Sequence, residues 1–263
     1  MWQHPVRKRL AGGEPVIAAT LVTPNVEAAV HLATMGFHFL WVEMEHSPIT
    51  LETLRLIVLG TRGLPAAVLA RVPVTDVWTA KRVLDQGVSG VIFPFTSSGA
   101  LATRAVDACH YPPNGLRGSG AGLACASWPE AGNYYDSADR NVLSIAVVEN
   151  REGLEAIEEI AATPGLDVVF IGTSDLSFSL GYRGSQSEPE VLAAIDKIAD
   201  AARRHGKYLG RPAGTAAQIK EWHGQGFQLF QTGTELGLMS AGAAQLLAPL
   251  GIEGLPREQR ALY

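Results

Sequence analysis

Eight short runs rich in β-branched and aromatic residues recur along the chain, and each is followed by a longer segment with the pattern of an amphipathic helix. The runs cover residues 16–21, 38–43, 67–71, 90–95, 143–149, 167–171, 207–211 and 227–233. Strands that alternate with helices form a parallel sheet, and eight such units in about 250 residues are the size of one barrel. The sequence therefore predicts a single (β/α)8 TIM barrel over residues 1–263. A doubly wound sheet is the alternative, but nothing marks a topological switch point or a second domain.

Residues 151–163 and 189–206 have the clearest helical patterns, and the second ends in basic residues and a glycine, as helix C-termini prefer. Residues 111–140 interrupt the alternation with a segment rich in Gly, Pro, Asn and Ser. A loop of this length in a compact domain is usually functional, and its aromatic residues favour packing over disorder. We expect it, with Arg117, to reach over the barrel mouth or into a neighbouring subunit.

The chain has 263 residues and a formal net charge of -5, so it lacks the basic excess of a nucleic-acid partner. No apolar run is long enough to span a bilayer, and the N-terminal segment lacks the organisation of a signal peptide. Cys109 and Cys125 form no disulfide framework and have no metal-ligand spacing. We therefore predict a cytoplasmic protein in which each cysteine is a small buried hydrophobe, with a lone reactive thiol as the alternative.

The active site of a TIM barrel is built at the C-terminal ends of its strands. The residues predicted to lie there with polar or backbone donor groups are Glu43, Glu45, His46, Arg71, Glu149, Gly172, Thr173, Ser174, Asp175 and Arg211. The lysines fall elsewhere, on predicted helices, in the leader or at the start of a strand: Lys8, Lys81, Lys197, Lys207 and Lys220. A Schiff-base mechanism therefore has no candidate nucleophile.

Glu149 and Asp175 follow neighbouring strands, so two carboxylates are predicted to face one mouth. Without a cation they would repel and one would take up a proton, whereas a hard divalent ion satisfies both with oxygen ligands. No cysteine or second histidine accompanies them, which favours Mg2+ or Mn2+ over a closed zinc site, with Co2+ or Zn2+ as alternatives. The structural alternative is that Glu149 ends its strand and Asp175 caps the next helix.

Arg71 is the only basic residue of its strand, and burying a guanidinium without an anion is costly. It is expected to face a bound anion or a developing oxyanion, or to form an ion pair with Glu43 or Glu45. His46 follows these two carboxylates and has the ingredients of an oriented acid–base group, with a structural histidine as the alternative.

Five segments occur in the order found in one enzyme family: "WVEMEHSP", "LARV", "YPPNGLRG", "VVENREG" and "FIGTSDLSFSLGY". On these motifs the chain, from about Gly12 to the helix after Gly233, resembles the HpcH/HpaI aldolase family. Members of this family are metal-dependent (class II) pyruvate aldolases, such as 4-hydroxy-2-oxoheptanedioate aldolase. The resemblance implies a (β/α)8 barrel that assembles as a hexamer and exchanges its last helix between subunits.

The resemblance also implies roles for individual residues. Glu149 and Asp175 would hold the divalent metal, Arg71 would contact the keto or enolate oxygen, and His46 would serve as the acid–base group. The backbone of residues 172–175 would receive the pyruvate carboxylate, as amide donors at a helix N-terminus can. Glu43 would orient His46, and Glu45 would contribute to the surroundings of the metal without ligating it.

The chain departs from the family pattern at three positions: Glu43 replaces the usual Asp, Val147 replaces a Gln near the metal, and Thr173 replaces Pro. We expect these changes to affect rate and substrate more than the metal site. Arg211 stands where an apolar residue lining the acceptor side is expected. Its guanidinium is predicted to bind a negative group on the aldehyde or, alternatively, to pair with Glu235.

The resulting hypothesis is a metal-dependent lyase that joins pyruvate to an aldehyde, or cleaves 4-hydroxy-2-oxo acids. Three alternatives remain open: an oxaloacetate decarboxylase, an acyl-CoA lyase of the citrate lyase β-subunit type, and a catalytically impaired protein that binds a 2-oxo acid. The sequence leaves the acceptor aldehyde, the preferred metal, the stereochemistry and the pathway undetermined.

Overall fold

The computed structural model describes residues 3–252 and residue 254, and its eight parallel strands close into a barrel in sequence order. The strands are β1 (Val16–Leu21), β2 (Phe39–Glu43), β3 (Ala67–Arg71), β4 (Gly90–Phe93), β5 (Leu143–Val148), β6 (Val168–Ile171), β7 (Tyr208–Pro212) and β8 (Phe227–Thr234). Each strand coincides with one predicted run, although β7 and β8 each end one residue later than predicted, and the predicted TIM barrel is confirmed.

Helices lie between the strands and at both ends of the described chain. They are α1 (Pro5–Ala11), α2 (Val26–Leu32), α3 (Leu51–Gly60), α4 (Val77–Asp85), α5 (Gly99–Cys109), α6 (Gly122–Ser127), α7 (Tyr134–Asn141), α8 (Arg151–Glu155), α9 (Ile157–Ala162), α10 (Thr173–Ser179), α11 (Pro189–Arg204), α12 (Ala216–Gly224) and α13 (Glu235–Leu247). Two 3-10 turns span Pro129–Ala131 and Ala248–Leu250. The helix predicted over 189–206 is confirmed as α11, whereas 151–163 forms two short helices that meet at Ala156.

The barrel interior is filled by large apolar side chains, among them Phe39, Trp41 and Phe170. Helix α1 packs Val6 and Leu10 against the same cluster. The neighbouring Arg7 side chain donates to both Asp167 carboxylate oxygens, at 2.8 and 2.7 Å, and to the carbonyl of Val142 at 2.8 Å. Because Asp167 and Val142 immediately precede β6 and β5, α1 closes the N-terminal end of the barrel and leaves the opposite end for the site.

The segment 111–140 is not an irregular loop over the mouth, and that prediction was wrong. It connects α5 to the start of β5, so it lies at the N-terminal end of the barrel, and it folds into α6, a 3-10 turn and most of α7. The Trp128 indole N–H donates to the carbonyl of Gly87, just before β4, at 2.9 Å. Arg117 is buried here, donating to Asp85 at 3.1 Å and to the Tyr134 hydroxyl at 3.2 Å. Entry into a neighbouring subunit stays a prediction.

Helix α13 leaves the barrel with most of its surface exposed, including the apolar side chains of Leu238, Met239 and Leu246. Its exchange between subunits stays a prediction. Cys109 is fully buried, as predicted, and burial raises the pKa of its thiol, whereas Cys125 is exposed, contrary to prediction. Within the described part of the chain, no helix combines the length and the apolar character needed to cross a bilayer.

Candidate active site at the barrel mouth

Arg71 is held between two acids at the C-terminal ends of β2 and β3. Glu43 and Arg71 are direct partners in the ladder of these strands. The Arg71 Nε lies 3.1 Å from Glu43 Oε2, and its Nη2 lies 2.6 Å from Glu45 Oε2. Arg71 Nε and Glu45 Oε2 nevertheless have no aligned hydrogen bond, so both contacts are ion pairs. The alternative ion-pair prediction for Arg71 is therefore present, and it involves both acids.

Glu43 fixes the backbone of the loop that follows β2 rather than the His46 ring. Its Oε1 accepts the N–H of Glu45 at 2.8 Å and of His46 at 3.1 Å, while Oε2 accepts the Trp41 indole N–H at 3.3 Å. The predicted contact between Glu43 and the imidazole is absent. The acid beside the ring is Glu45, whose Oε2 lies 3.7 Å from His46 Nε2, and the His46 side chain is 53% exposed at the rim.

Glu149 follows β5 and is the most deeply buried acid of the mouth, at 2% exposure. Burial raises its pKa to about 7, opposed by the N–H of Phe95 and by Arg71, and assisted by the negative charges of Asp175 and Glu45. Its Oε1 accepts the Phe95 N–H at 2.7 Å. A carboxyl group with this pKa exchanges its proton near neutral pH, so Glu149 is sensitive to any added positive charge.

Asp175 lies in the first turn of α10, where it is half-buried. It is not the cap of that helix, because Gly172 occupies the N-cap position. Its charge raises the pKa of Glu149 and of Glu45, although burial is the largest cause in both cases. The sequence prediction that Glu149 and Asp175 face one mouth therefore agrees with this electrostatic coupling.

Gly172 allows the end of β6 to approach Glu149. A Cβ atom at this position would lie 2.6 Å from both Cβ and Oε2 of Glu149, which is too close for any other residue without movement. Thr173 is buried and its hydroxyl donates to Gln186 Oε1 at 2.7 Å, so this hydroxyl is used within the fold. Ser174 is exposed, and its carbonyl accepts the Ser177 hydroxyl at 2.6 Å.

The donors at the mouth fit a hard divalent cation in an open site. The candidate ligands of the acids are carboxylate oxygens, and the buried Glu45 Oε2, although 2.6 Å from Arg71 Nη2, makes no aligned hydrogen bond among the described residues. Burial is the largest cause of the raised pKa of Glu149 and of Glu45, and the neighbouring negative charges add to it. Among the described residues no three His, Cys, Asp or Glu side chains could enclose a metal ion. Glu149 and Asp175 would therefore supply two ligands and leave the other positions to water and substrate.

Arg211 does not face the mouth. It lies on the outer side of β7, where its guanidinium covers the Trp222 ring of α12 at 3.5 Å and lies 5.3 Å from the Phe227 ring. Burial lowers its pKa to about 10, although the charges of two acids oppose the shift. The predicted pair with Glu235 is also absent, because that carboxylate accepts backbone N–H groups of residues 22 and 23 instead. Both predictions for Arg211 were wrong.

Phe95 is the residue of the mouth that sequence reasoning missed. It was predicted as the last residue of a strand, but β4 ends at Phe93 and Phe95 adopts a positive φ of 44°. This conformation brings its N–H to Glu149. No sequence signal indicated it, because residues that adopt positive φ are usually Gly, Asn or Asp.

The model of the HpcH/HpaI aldolase/citrate lyase family matches residues 22–241. The chain belongs to this family. The resemblance seen in its motifs is thereby confirmed, and the family places the chain among the lyases.

Named relatives of this HpcH/HpaI member are aldolases. A hydroxypyruvate/pyruvate aldolase of Paraburkholderia phytofirmans is 32% identical over 250 residues, which cover 93% of this chain and 96% of that protein. A 5-keto-4-deoxy-D-glucarate aldolase of Klebsiella pneumoniae is 32% identical over 246 residues, covering 94% and 96%. Among solved structures, an HpcH/HpaI aldolase/citrate lyase family protein of Burkholderia cenocepacia has a TM-score of 0.87 at 29% identity, covering 95% of this chain and all of that one (100%).

Proposed function

We propose that the protein is a divalent-metal-dependent aldolase that joins the enolate of pyruvate to an aldehyde and, in reverse, cleaves 4-hydroxy-2-oxo acids. The observation that carries the proposal is the juxtaposition of Glu149, with a pKa of about 7, and Asp175 at a mouth that also contains Arg71 and His46. Two neighbouring acids beside a guanidinium and an exposed imidazole suit enolate chemistry. The names of the aldolase relatives support the same reaction class.

Glu149 and Asp175 would hold Mg2+ or Mn2+, with Co2+ or Zn2+ as alternatives. When bound, the cation supplies positive charge that stabilises the enolate. The short turn from Gly172 to Asp175 would present backbone N–H groups to the pyruvate carboxylate. Glycine at residue 172 keeps this turn close to Glu149, because a larger residue would push it away.

Arg71 would donate to the keto oxygen of pyruvate and keep that contact as the oxygen becomes an enolate. Its ion pairs with Glu43 and Glu45 fix the guanidinium before substrate arrives, so little reorganisation is needed. His46 would remove a proton from the methyl group, and Glu45 would stabilise the resulting imidazolium. The enolate carbon then attacks the aldehyde carbon, and the new alkoxide takes the proton back from His46.

Exchange of the pyruvate methyl protons in D2O tests the first half of this reaction without an acceptor. We expect NMR to show exchange that requires added Mg2+ or Mn2+ and that is lost with Glu149→Gln or Asp175→Asn. The matched control is Glu152→Gln, an exposed acid on α8, which should exchange at the wild-type rate. Undiminished exchange in the presence of EDTA would contradict the metal requirement.

Product analysis then separates the alternative activities. We expect pyruvate release from a 4-hydroxy-2-oxo acid to exceed release from oxaloacetate, and no dependence on coenzyme A. Pyruvate binding without any methyl exchange would instead identify an impaired binding protein.

We further propose that the protein is a homo-oligomer, with a hexamer as the expected state. The exposed apolar residues of α13 support this, because a helix of this composition is seldom left in water.

A further inference from the structure

The backbone at Phe95 is strained at the edge of the site. Among the described residues, Phe95 and Arg183 are the two that combine a positive φ, 44° and 48°, with a residue other than glycine. The left-handed region crowds Cβ against the following carbonyl, and a bulky residue remains there only when its surroundings require it. Arg183 lies on an exposed segment after α10, whereas Phe95 lies between the end of β4 and the acid Glu149.

Four hydrogen bonds hold the turn around Phe95. The Phe95 N–H donates to Glu149 at 2.7 Å, and the next N–H, of Thr96, donates to the carbonyl of Val147 at 2.9 Å. The Thr96 hydroxyl donates to the Phe93 carbonyl at 3.1 Å, and the Thr75 hydroxyl donates to the carbonyl of residue 94 at 3.2 Å. All four use backbone groups of the turn, so glycine at residue 95 would make the same bonds without the strain.

The phenyl ring therefore requires a separate explanation. It is 43% exposed and belongs to none of the apolar clusters formed by the described residues. A large apolar side chain that is strained and solvent-exposed contributes little to folding. The N–H of the same residue donates to Glu149, so the backbone that carries the ring lies at the edge of the proposed enolate site.

The two arginines that the sequence suggested for binding an anion are already engaged. Arg71 is paired with Glu43 and Glu45, and Arg211, the predicted anion-binding residue, is stacked on Trp222 outside the barrel. These two arginines therefore offer no free guanidinium to a carboxylate on the incoming aldehyde.

We infer that the Phe95 ring forms an apolar wall of the acceptor site and selects aldehydes with an uncharged hydrocarbon chain over carboxylated aldehydes. This inference rests on the proposed aldolase function. The Phe95 N–H positions Glu149, while the ring contacts the acceptor, so the two roles can be separated by substitution.

The test compares Phe95→Gly with wild type in two assays. Methyl exchange of pyruvate in D2O measures any displacement of Glu149, which the Phe95 N–H positions, and such a displacement would slow the reaction with both acceptors equally. The ratio of kcat/KM for butanal to that for glyoxylate should fall about tenfold or more, as expected when one apolar contact to the acceptor is removed. Phe95→Leu, which retains apolar bulk, should keep more than half of the wild-type ratio. Phe178→Ala, at an exposed aromatic residue of α10, is the matched control and should keep the ratio unchanged.

The outcomes separate this inference from the function on which it rests. An unchanged ratio in Phe95→Gly, with exchange intact, would overturn the role of the ring while leaving the aldolase proposal in place. Loss of exchange in Phe95→Gly alone, with an unaltered thermal midpoint, would overturn the separation of backbone and ring roles. Absence of exchange in wild type would remove the aldolase proposal itself.

Discussion

At the scale of single residues, Glu149 makes the stability of the protein depend on pH. Its pKa is about 7 in the folded chain, compared with an ordinary value of 4.5. Between these values the folded state binds more protons at this site than the unfolded state, so the free energy of unfolding decreases as pH rises. We expect the metal-free protein to lose on the order of 2 kcal/mol through this group between about pH 5 and about pH 8. Urea denaturation in EDTA measures this loss.

Substitution of Glu149 tests whether this residue causes the loss of stability at higher pH. Glu149→Gln cannot ionise at this position and should lack this part of the pH dependence, whereas Glu152→Gln should retain it. If Glu149→Gln has the same slope as wild type, the acid titrates as an ordinary surface carboxyl group.

Single residues were also where sequence reasoning was least reliable. The strand alternation places Leu209 and Arg211 on the same face of β7, and a Cβ at Gly210 would lie 2.5 Å from the interior Phe170. Because side chains alternate along a strand and Gly210 faces the interior, Arg211 faces outward. The sequence could have predicted this orientation if the interior face of β7 had been known. The strain at Phe95 and the choice of Glu45 rather than Glu43 beside His46 depend on loop geometry, which no residue pattern specifies.

At the scale of elements, the close contact between the end of β5 and the start of α10 depends on Gly172. We expect Gly172→Ala to lower the free energy of unfolding by about 1–3 kcal/mol, since the added methyl group overlaps Glu149. Exchange of pyruvate protons should fall by about a hundredfold, because a shift near 1 Å in catalytic groups has an effect of that order. Urea denaturation and the NMR exchange assay measure the two effects.

Helix α12 provides the control for this substitution. A Cβ at Gly224 would contact nothing within 4 Å, and its φ is not in the left-handed region. Gly224→Ala should therefore be neutral or slightly stabilising, with unchanged exchange. Equal effects at the two glycines would show that the close approach to Glu149 has no energetic importance.

The elements themselves were largely predictable from sequence. Strands buried on both faces of a parallel barrel read as continuous apolar runs, which is why all eight observed strands overlap the predicted runs almost completely. The segment 111–140 was predicted at the wrong end of the barrel. Its composition shows that the strand–helix alternation is interrupted, but it does not show at which end of the barrel the interruption lies. Chain order does specify it, since a connection from α5 to β5 must return to the N-terminal end.

At the scale of the whole molecule, α13 is the feature that a single subunit leaves unexplained. If α13 packs against another copy of the chain, a charge on its apolar surface should dissociate the assembly. We expect Leu238→Asp combined with Leu246→Asp to shift the mass measured by light scattering from hexamer toward monomer, while circular dichroism retains the barrel signal. Both leucines are exposed in the isolated subunit, at 40% and 72%.

Ser240→Asp tests whether charge alone is responsible. It adds the same negative group at an exposed polar position of α13, so the hexamer should persist. A monomeric wild type, or dissociation caused equally by Ser240→Asp, would contradict an interface formed by the apolar residues.

Glu235 ties this helix to the barrel. Its carboxylate accepts the N–H of Val22 at 3.0 and 3.1 Å and the N–H of Thr23 at 2.6 Å, just after β1. The first turn of α13 is therefore bonded to the rim beside β1 through one buried side chain. If α13 were displaced by packing against another subunit, Glu235 is the side chain through which the displacement would reach the backbone of residues 22 and 23 at the edge of the mouth.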